Sequence, residues 1–104
     1  MKMVVAVIRP ERLQAVKDAL EEASIDAMTI TDVRGRGQQR GLTFSNRVGT
    51  IKVDEIEKTK VEMVVEDSQL KACIEAVKSG ARTGKMGDGR IFVLPVEQSI
   101  RIRD

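Results

Sequence analysis

The chain has 104 residues, of which 41% are hydrophobic and 33% are charged, and its formal net charge at pH 7 is +2. A chain of this length and composition builds one globular core, so we predict a single domain over residues 1–104. One cysteine and no histidine argue against an internal disulfide, a zinc site and a Cys-His catalytic site. The small charge and the presence of only two aromatic residues argue against a nucleic-acid partner.

The first 23 residues predict a strand followed by a helix. Residues 3–8 form a continuous apolar run rich in β-branched side chains, as in a central strand. Pro10 follows this run, at a position where the first turn of a helix tolerates the missing amide donor. It also ends the apolar run before the run is long enough for a signal peptide or a membrane segment. We therefore expect a cytoplasmic protein. Spacings of three and four predict a helix over about residues 11–23, with Leu13, Val16, Leu20 and Ala23 on its buried face.

A second strand and a long loop are predicted next. Residues 28–34 alternate between apolar and polar side chains, so Met28, Ile30 and Val33 should face mostly toward the core despite one slip in the alternation. Residues 35–55 contain four glycines and lose apolar periodicity. A segment of this length inside a small domain is usually functional, so we predict a functional loop here.

The second half of the chain repeats the pattern. Alternation over residues 58–66 places Val61, Met63 and Val65 on one face of a third strand. Asp67 is placed to cap a second helix, and Gly80 is placed to end it. Residues 91–96 predict a fourth strand. The apolar face of the second helix would consist of Leu70, Cys73, Ile74 and Val77.

The order strand, helix, strand, strand, helix, strand predicts an α+β fold. It fits the ferredoxin-like βαββαβ arrangement, in which an antiparallel four-stranded sheet carries both helices on one face. The other face of the sheet would then lie without cover, and an apolar face of that size usually marks an interface. We therefore expect a homo-oligomer.

Two glycine-rich stretches are candidates for anion binding. They are RGRGQQRG at residues 34–41 and TGKMGDGR at residues 83–90, and neither matches a dinucleotide fingerprint or a Walker A loop. Glycines let backbone amides turn inward, and basic side chains pair with phosphate oxygens. Tight turns with solvated basic residues would explain the same two stretches. The spacing alone therefore leaves both an anion-binding site and ordinary turns open.

A family resemblance goes further. Residues 81–93, ARTGKMGDGRIFV, resemble the B-loop of the P-II nitrogen-regulatory signal-transduction proteins, and residues 99–103, SIRIR, resemble their C-loop. Residues 28–41 and 58–65 are similar to the strands that enter and leave that family's T-loop. The resemblance covers nearly the whole chain and implies a homotrimer, with a T-loop at about 37–55, a B-loop at about 82–90 and a C-loop at about 99–104.

The resemblance implies that ATP or ADP binds in clefts between neighbouring subunits. The B-loop would cradle the phosphates, the C-loop arginines of the adjacent subunit would reach them, and other residues would line the pocket. Gln38 stands where the family usually has arginine, so one phosphate contact should be weaker. The implied nucleotide-binding residues are Val7, Thr29, Gly35, Gly37, Gln38, Val64, Gly87, Asp88, Gly89, Arg90, Arg101 and Arg103.

The resemblance also implies that 2-oxoglutarate binds beside ATP through Mg²⁺. Gln39 would be the protein ligand of the metal, and Lys58 would pair with a carboxylate. Without the family context, Lys58 is a solvated charge at a strand end and Gln39 carries no signal. The implied residues of this site are Gly37, Gln39, Arg40, Gly41, Lys58 and Gly87.

Partner regulation through the T-loop is the third implication. Arg47 matches the loop-tip arginine that blocks the channel exit of ammonium transporters, although an exposed loop arginine explains it equally well. Nitrogenase or another nitrogen-metabolism enzyme is the other implied kind of partner. Ile51 and Gly49 occupy the positions of the family's uridylylated tyrosine and phosphorylated serine, so neither modification carries over.

We therefore predict a non-enzymatic protein of nitrogen-metabolism signal transduction, which would meet a membrane only through a transporter partner. A slow ATPase is one alternative, but the sequence places no carboxylate pair or nucleophile to activate water. A structural or metal-binding trimer of the same fold is the other alternative, and the absence of histidine disfavours it.

Overall fold

The computed structural model describes residues 1–36, 42–46, 49–53 and 55–103. A short 3-10 turn precedes each of its two helices, and neither helix in the described part of the chain is long and apolar enough to cross a membrane. The elements are β1 (Lys2–Ile8), α1 (Leu13–Glu22), β2 (Thr29–Gly35), β3 (Leu42–Asn46), β4 (Gly49–Val53), β5 (Ile56–Val65), α2 (Leu70–Ala81) and β6 (Gly89–Pro95).

Four strands form one antiparallel sheet in the order β2-β5-β1-β6. The central strand β1 pairs on both sides, so that Val4 lies opposite Met63 of β5 and opposite Val93 of β6. Apart from the separate β3–β4 pair, this is the strand order of a split βαβ unit repeated once. The predicted ferredoxin-like fold is confirmed.

The core lies between one face of this sheet and the two helices. Alternate residues of β1 and β5 are buried there, as the sequence periodicity predicted, together with one stripe of each helix. Each fully buried valine or leucine contributes about 1.5–3 kcal/mol relative to exposure. Buried members of this cluster include Val4, Ala6, Ile8, Val16, Leu20, Val61, Met63, Val65, Cys73 and Val77.

Helix α1 ends in a left-handed residue. Ser24 has φ +61°, and its amide donates to the carbonyl of Glu21, while the amide of Ile25 donates to the carbonyl of Leu20. This pair of bonds is a Schellman motif, and its usual apolar contact is supplied by Leu20 and Ile25, both of which are buried. The turn therefore directs the chain from α1 toward β2.

The start of α2 differs from the prediction. The helical segment is capped by Glu66, not by Asp67, because Glu66 and Gln69 form a reciprocal capping box in which the Glu66 amide donates to Gln69 Oε1 at 3.0 Å. Asp67 is the first residue of the 3-10 turn, and its carboxylate lies 3.2 Å from the amino terminus of Met1. The cap is one residue earlier because the 3-10 turn precedes the α-helix.

The end of α2 also differs, because Gly80 lies inside the helix and does not terminate it. A Cβ atom on Gly80 would lie 2.6 Å from Val16 Cα, so α1 and α2 approach each other here more closely than any side chain would allow. Arg12 adds a contact from its Nε to the Gly80 carbonyl at 2.8 Å. The glycine therefore serves helix packing, and the helix ends one residue later, at Ala81.

Residues 35–55 were predicted as a loop, but β3 and β4 within that segment pair as an antiparallel hairpin. Phe44 pairs with Ile51 and Leu42 with Val53, so short apolar alternation is present between the glycines. In β2, Ile30 lies opposite buried Val61 but remains 39% exposed, because β2 is an edge strand with a neighbour on one side only. The prediction that Ile30 is core-facing therefore holds for register and not for burial.

The opposite face of the sheet carries apolar side chains that the helices do not cover. In the pairing register, Val64 lies opposite Met3, and Phe92 lies opposite Val5. The side chains of Val64 and Phe92 are 47% and 50% exposed. This matches the uncovered face expected from the sequence.

Candidate functional site

The B-loop, residues 82–90, is closed by its own aspartate. The Asp88 carboxylate accepts hydrogen bonds from the amide of Thr83 at 2.8 Å, from the amide of Gly84 at 2.9 Å and from the Thr83 hydroxyl. The Thr83 hydroxyl, followed by the Thr83 amide, holds the pKa of Asp88 well below its ordinary value. Asp88 is therefore ionised and fully engaged, and a carboxylate so engaged is a poor general base.

Glycines let the loop lie against the end of β1. Gly84, Gly87 and Gly89 have φ of +84°, +96° and +117°, a region that other residues rarely adopt. A Cβ on Gly89 would lie 1.9 Å from the Val7 carbonyl oxygen, and one on Gly87 would lie 3.2 Å from Arg9 Nη2. The loop backbone thus occupies space in which no side chain fits.

Two cations from neighbouring strands hold this loop. Arg9, which follows β1, donates from Nη2 to the Met86 carbonyl at 2.7 Å and from Nε to Asp88 Oδ1 at 3.1 Å. Lys58 of β5 donates from Nζ to the Gly87 carbonyl at 2.6 Å. Lys58 was among the predicted site residues, whereas Arg9 was missed. The sequence contained a weak indication of Arg9. It continues the alternate positions Val5 and Val7, which lie on the uncovered face of the sheet.

Several predicted site residues gather at this end of the sheet. Val7 pairs with Arg90 and with Lys60, and Gly35, the last residue of β2, pairs with Ile56, two residues before Lys58. We call this group the B-loop half. It consists of Val7, Gly35, Lys58, Gly87, Asp88, Gly89 and Arg90.

Other predicted residues lie in the opposite half of the sheet. Val64 pairs with Met3, and Thr29 pairs with Glu62. Val64 lies six positions beyond Lys58 along β5, which at about 3.3 Å per residue is roughly 20 Å. The fold therefore does not bring Thr29 and Val64 to the B-loop of the same chain.

The chain's tail starts from that distant end. β6 runs away from the B-loop, and its last residue, Pro95, pairs with Lys2. Arg101 and Arg103 follow in an exposed segment outside regular structure. We call Thr29, Val64, Arg101 and Arg103 the tail half. A cleft of about 430 Å³ opens here, lined by Met3, Ala27, Met28, Thr29, Glu62, Met63 and Val64.

The remaining predicted residues fall outside the described ranges. In the part of the chain that the structure describes, no group of three His, Cys, Asp or Glu side chains is placed to hold a metal ion. Gly49 and Ile51 lie in β4. The residues outside the described ranges are Gly37, Gln38, Gln39, Arg40, Gly41 and Arg47.

The residues of the B-loop half are better suited to bind a polyphosphate than to catalyse a reaction. Positive-φ glycines allow amides to turn toward an anion, and Arg90 and Lys58 supply fixed positive charge beside them. The one carboxylate in the loop is already satisfied by loop donors and Arg9. The arrangement can bind and orient an anion.

Comparison with known proteins shows the family to which the chain belongs. The family described as nitrogen regulatory protein P-II matches residues 1–104. The chain is 48% identical over 103 residues to nitrogen regulatory protein P-II 2 of Methanothermobacter thermautotrophicus, covering 99% of this chain and 90% of that protein. It is 46% identical to the P-II protein of Azospirillum brasilense and 45% identical to that of Cereibacter sphaeroides, each over 99% of this chain and 92% of the relative. The resemblance seen in the sequence is confirmed, and the chain belongs to the nitrogen regulatory protein P-II family.

Proposed function

We propose that this protein is a cytoplasmic signal-transduction protein of nitrogen metabolism that binds ATP or ADP between the subunits of a homotrimer. The observation that carries the proposal is the separation of roughly 20 Å, set by strand rise, between Lys58 at the B-loop and Val64 of the tail half. A nucleotide that contacts both positions would then take them from two copies of the chain.

A ring of copies supplies that geometry. In a cyclic trimer each interface joins two different surfaces, so the B-loop half of one subunit can meet the tail half of the next. The apolar face around Val64 and Phe92 supplies area for such contacts. In the tail, Ile100 is 80% exposed and Ile102 is fully exposed, which suits residues that pack on a neighbour.

The residues present fit a nucleotide polyphosphate. The positive-φ glycines of the B-loop let backbone amides turn toward an anion, and Arg90, Arg101 and Arg103 offer charge-assisted hydrogen bonds to phosphate. Each such bond contributes about 1.5–3 kcal/mol. Arg103→Ala should therefore weaken ATP binding by about tenfold or more.

A complementation experiment tests the shared site. Arg90→Ala removes a contact from the B-loop half, and Arg103→Ala removes one from the tail half, so each variant alone should bind ADP weakly by calorimetry. When the two variants are denatured together and refolded, about a quarter of the interfaces of random trimers should combine two intact halves. Recovery of that fraction of tight sites supports the proposal. No recovery in the mixture, or a monomeric wild-type protein, would refute it.

We further propose that 2-oxoglutarate binds beside Mg-ATP, with Gln39 as protein ligand of Mg²⁺ and Lys58 pairing with a carboxylate. Support comes from the position of Lys58, whose Nζ lies 2.6 Å from the Gly87 carbonyl at the edge of the B-loop half. Calorimetric titration with and without Mg-ATP tests the synergy. Lys58→Ala should abolish the 2-oxoglutarate heat and keep nucleotide binding.

Lys60→Ala is the matched control for that experiment. Lys60 lies two residues further along β5 on the same face, and its Nζ is 3.6 Å from Glu62 Oε1. The same charge is removed there without touching the B-loop. Equal 2-oxoglutarate heats in the two variants would contradict the assignment of Lys58.

We propose that the ligands act on partner proteins through the T-loop. Candidate partners are an ammonium transporter, contacted by Arg47, and nitrogenase or another enzyme of nitrogen metabolism. A ligand can change partner affinity only through its differential affinity for T-loop states. Binding of the purified transporter should therefore differ between ADP and Mg-ATP with 2-oxoglutarate, and Arg47→Ala should remove it. Equal binding in all ligand states would count against this role.

A further inference from the structure

Three consecutive residues of the B-loop are held by two side chains from outside the loop. Arg9 contacts the Met86 carbonyl and the Asp88 carboxylate, and Lys58 contacts the Gly87 carbonyl between them. These contacts join the loop to the ends of β1 and β5, the two central strands of the sheet. The loop is therefore placed by the sheet as well as by its own hydrogen bonds.

The two contacts differ in what a competing anion would have to displace. Arg9 is paired with Asp88, an ionised carboxylate, and the side chains of both residues are only about a quarter exposed. Lys58 donates to Gly87 O, a neutral carbonyl. Both donors are cations, but removal of Arg9 would leave the Asp88 carboxylate without its opposite charge, whereas removal of Lys58 leaves only a neutral carbonyl. An incoming carboxylate therefore takes Lys58 from its partner more easily than it takes Arg9.

The guanidinium group also suits Arg9 to the permanent role. Its planar fork donates in two fixed directions and stays charged, whereas an ammonium group on a flexible stem changes partners readily. In this structure the fork reaches a carbonyl with Nη2 and a carboxylate with Nε.

We propose that Arg9 is a positioning residue that keeps the B-loop in place while Lys58 exchanges the Gly87 carbonyl for a carboxylate of the second ligand. The inference rests on the proposed function, because it describes how one cation of that site can change partner without loss of the phosphate cradle. It assigns Arg9 no direct contact with either ligand.

The test compares Arg9→Gln with Arg12→Gln. Arg12 is a matched control because its Nε also donates to a backbone carbonyl, that of Gly80, but in helix α2 and not in the B-loop. Calorimetry with Mg-ATP should show about tenfold weaker binding in Arg9→Gln, the lower end expected for losing charge-assisted bonds, and less than about a twofold change in Arg12→Gln. Arg9→Lys should recover part of the loss, because one ammonium group can reach only one of the two acceptors.

The same titrations at saturating 2-oxoglutarate test the exchange. Once Lys58 has left Gly87, the loop of Arg9→Gln lacks both holds, so its ATP deficit relative to wild type should grow by a further factor of about three or more. In ligand-free protein, amide hydrogen exchange of residues 83–89 should be faster in Arg9→Gln than in Arg12→Gln. This measurement detects the contacts of Arg9 with the B-loop without any nucleotide.

Each result decides the matter. Wild-type ATP affinity in Arg9→Gln, or an equal loss in Arg12→Gln, overturns the role of Arg9. A deficit that is the same with and without 2-oxoglutarate overturns the exchange at Lys58. Failure of the proposed function has a different signature, because the wild-type protein would then give no ATP heat, and the inference would fall with it.

Discussion

Alanine substitution at the three B-loop glycines should separate backbone strain from close contact. Gly84, Gly87 and Gly89 all have positive φ, but their surroundings differ. A Cβ on Gly84 meets nothing within 4 Å, one on Gly87 meets the movable end of Arg9 at 3.2 Å, and one on Gly89 meets the Val7 carbonyl oxygen at 1.9 Å. We expect the loss of stability to follow that order.

The magnitudes follow from these contacts. An alanine in the left-handed region costs about 1–2 kcal/mol, and the stiffer unfolded chain offsets about 0.4–1 kcal/mol of it, so Gly84→Ala should destabilise by roughly 1 kcal/mol. Gly87→Ala should cost slightly more, because Arg9 has to shift. In Gly89→Ala the start of β6 has to move away from β1, which breaks the Ile8–Gly89 pairing and should cost about 3 kcal/mol or more.

Urea denaturation of the three variants at one fixed protein concentration measures this series, since the stability of an oligomer depends on concentration. The readout needs no ligand, so it tests the loop geometry independently of the proposed function. If Gly89→Ala proves as stable as Gly84→Ala, the close approach of the B-loop to Val7 is wrong.

Three other substitutions or titrations follow from the same structure. Gly80→Ala should destabilise by about 2 kcal/mol, because the contact with Val16 outweighs a helix-propensity gain of about 1 kcal/mol, and a more stable variant in urea would contradict this packing. Ser24→Gly should stabilise by about 0.5–1 kcal/mol in the same assay, because glycine adopts the left-handed position without strain, and a loss would refute the Schellman motif. The pKa of Asp88 is lowered by folding, so its contribution to stability is complete well above the ordinary value of about 3.8 and is lost progressively as the pH falls from there through the lower folded value. A carboxyl NMR titration that found an ordinary pKa for Asp88 would contradict this prediction.

The regular part of the fold could be predicted because local pattern and tertiary burial agree there. The alternation over β5 gave Val61, Met63 and Val65 as buried, and the helical spacing gave Val16 and Leu20. In each case one face of an element packs on the core and the opposite face does not, so the spacing of apolar residues in the sequence predicts which side chains are buried.

Prediction failed where a residue serves a distant contact. Gly80 has the signal of a helix end, but its lack of a side chain is needed by Val16, 64 positions earlier in the chain. Ile30 follows the core-facing alternation and is nevertheless exposed, because only the strand order places β2 at an edge. Neither fact is encoded within a window of neighbouring residues.

The candidate site shows the same limit. Lys58 and the B-loop residues were predicted from a family resemblance, since the spacing of glycines and cations alone slightly favoured tight turns with solvated basic residues. Arg9 escaped notice because it belongs to no glycine-rich stretch, and only the pairing of β1 with β6 brings it to the loop. The contacts of Arg9 and Lys58 with the B-loop depend on how the strands are paired, and strand register cannot be read from the local sequence pattern.

The register also indicates how a bound ligand could reach a partner. Gly35 and Ile56 form the last pair of β2 and β5, and the chain between them contains the β3–β4 hairpin. Lys58 is two residues from that last pair and is bonded to the B-loop, so one side chain connects the B-loop with the ends of β2 and β5. Under the proposed function, a ligand that draws Lys58 away from Gly87 would act on both places at once, and order or disorder of a loop is one known way to pass such a change to a partner.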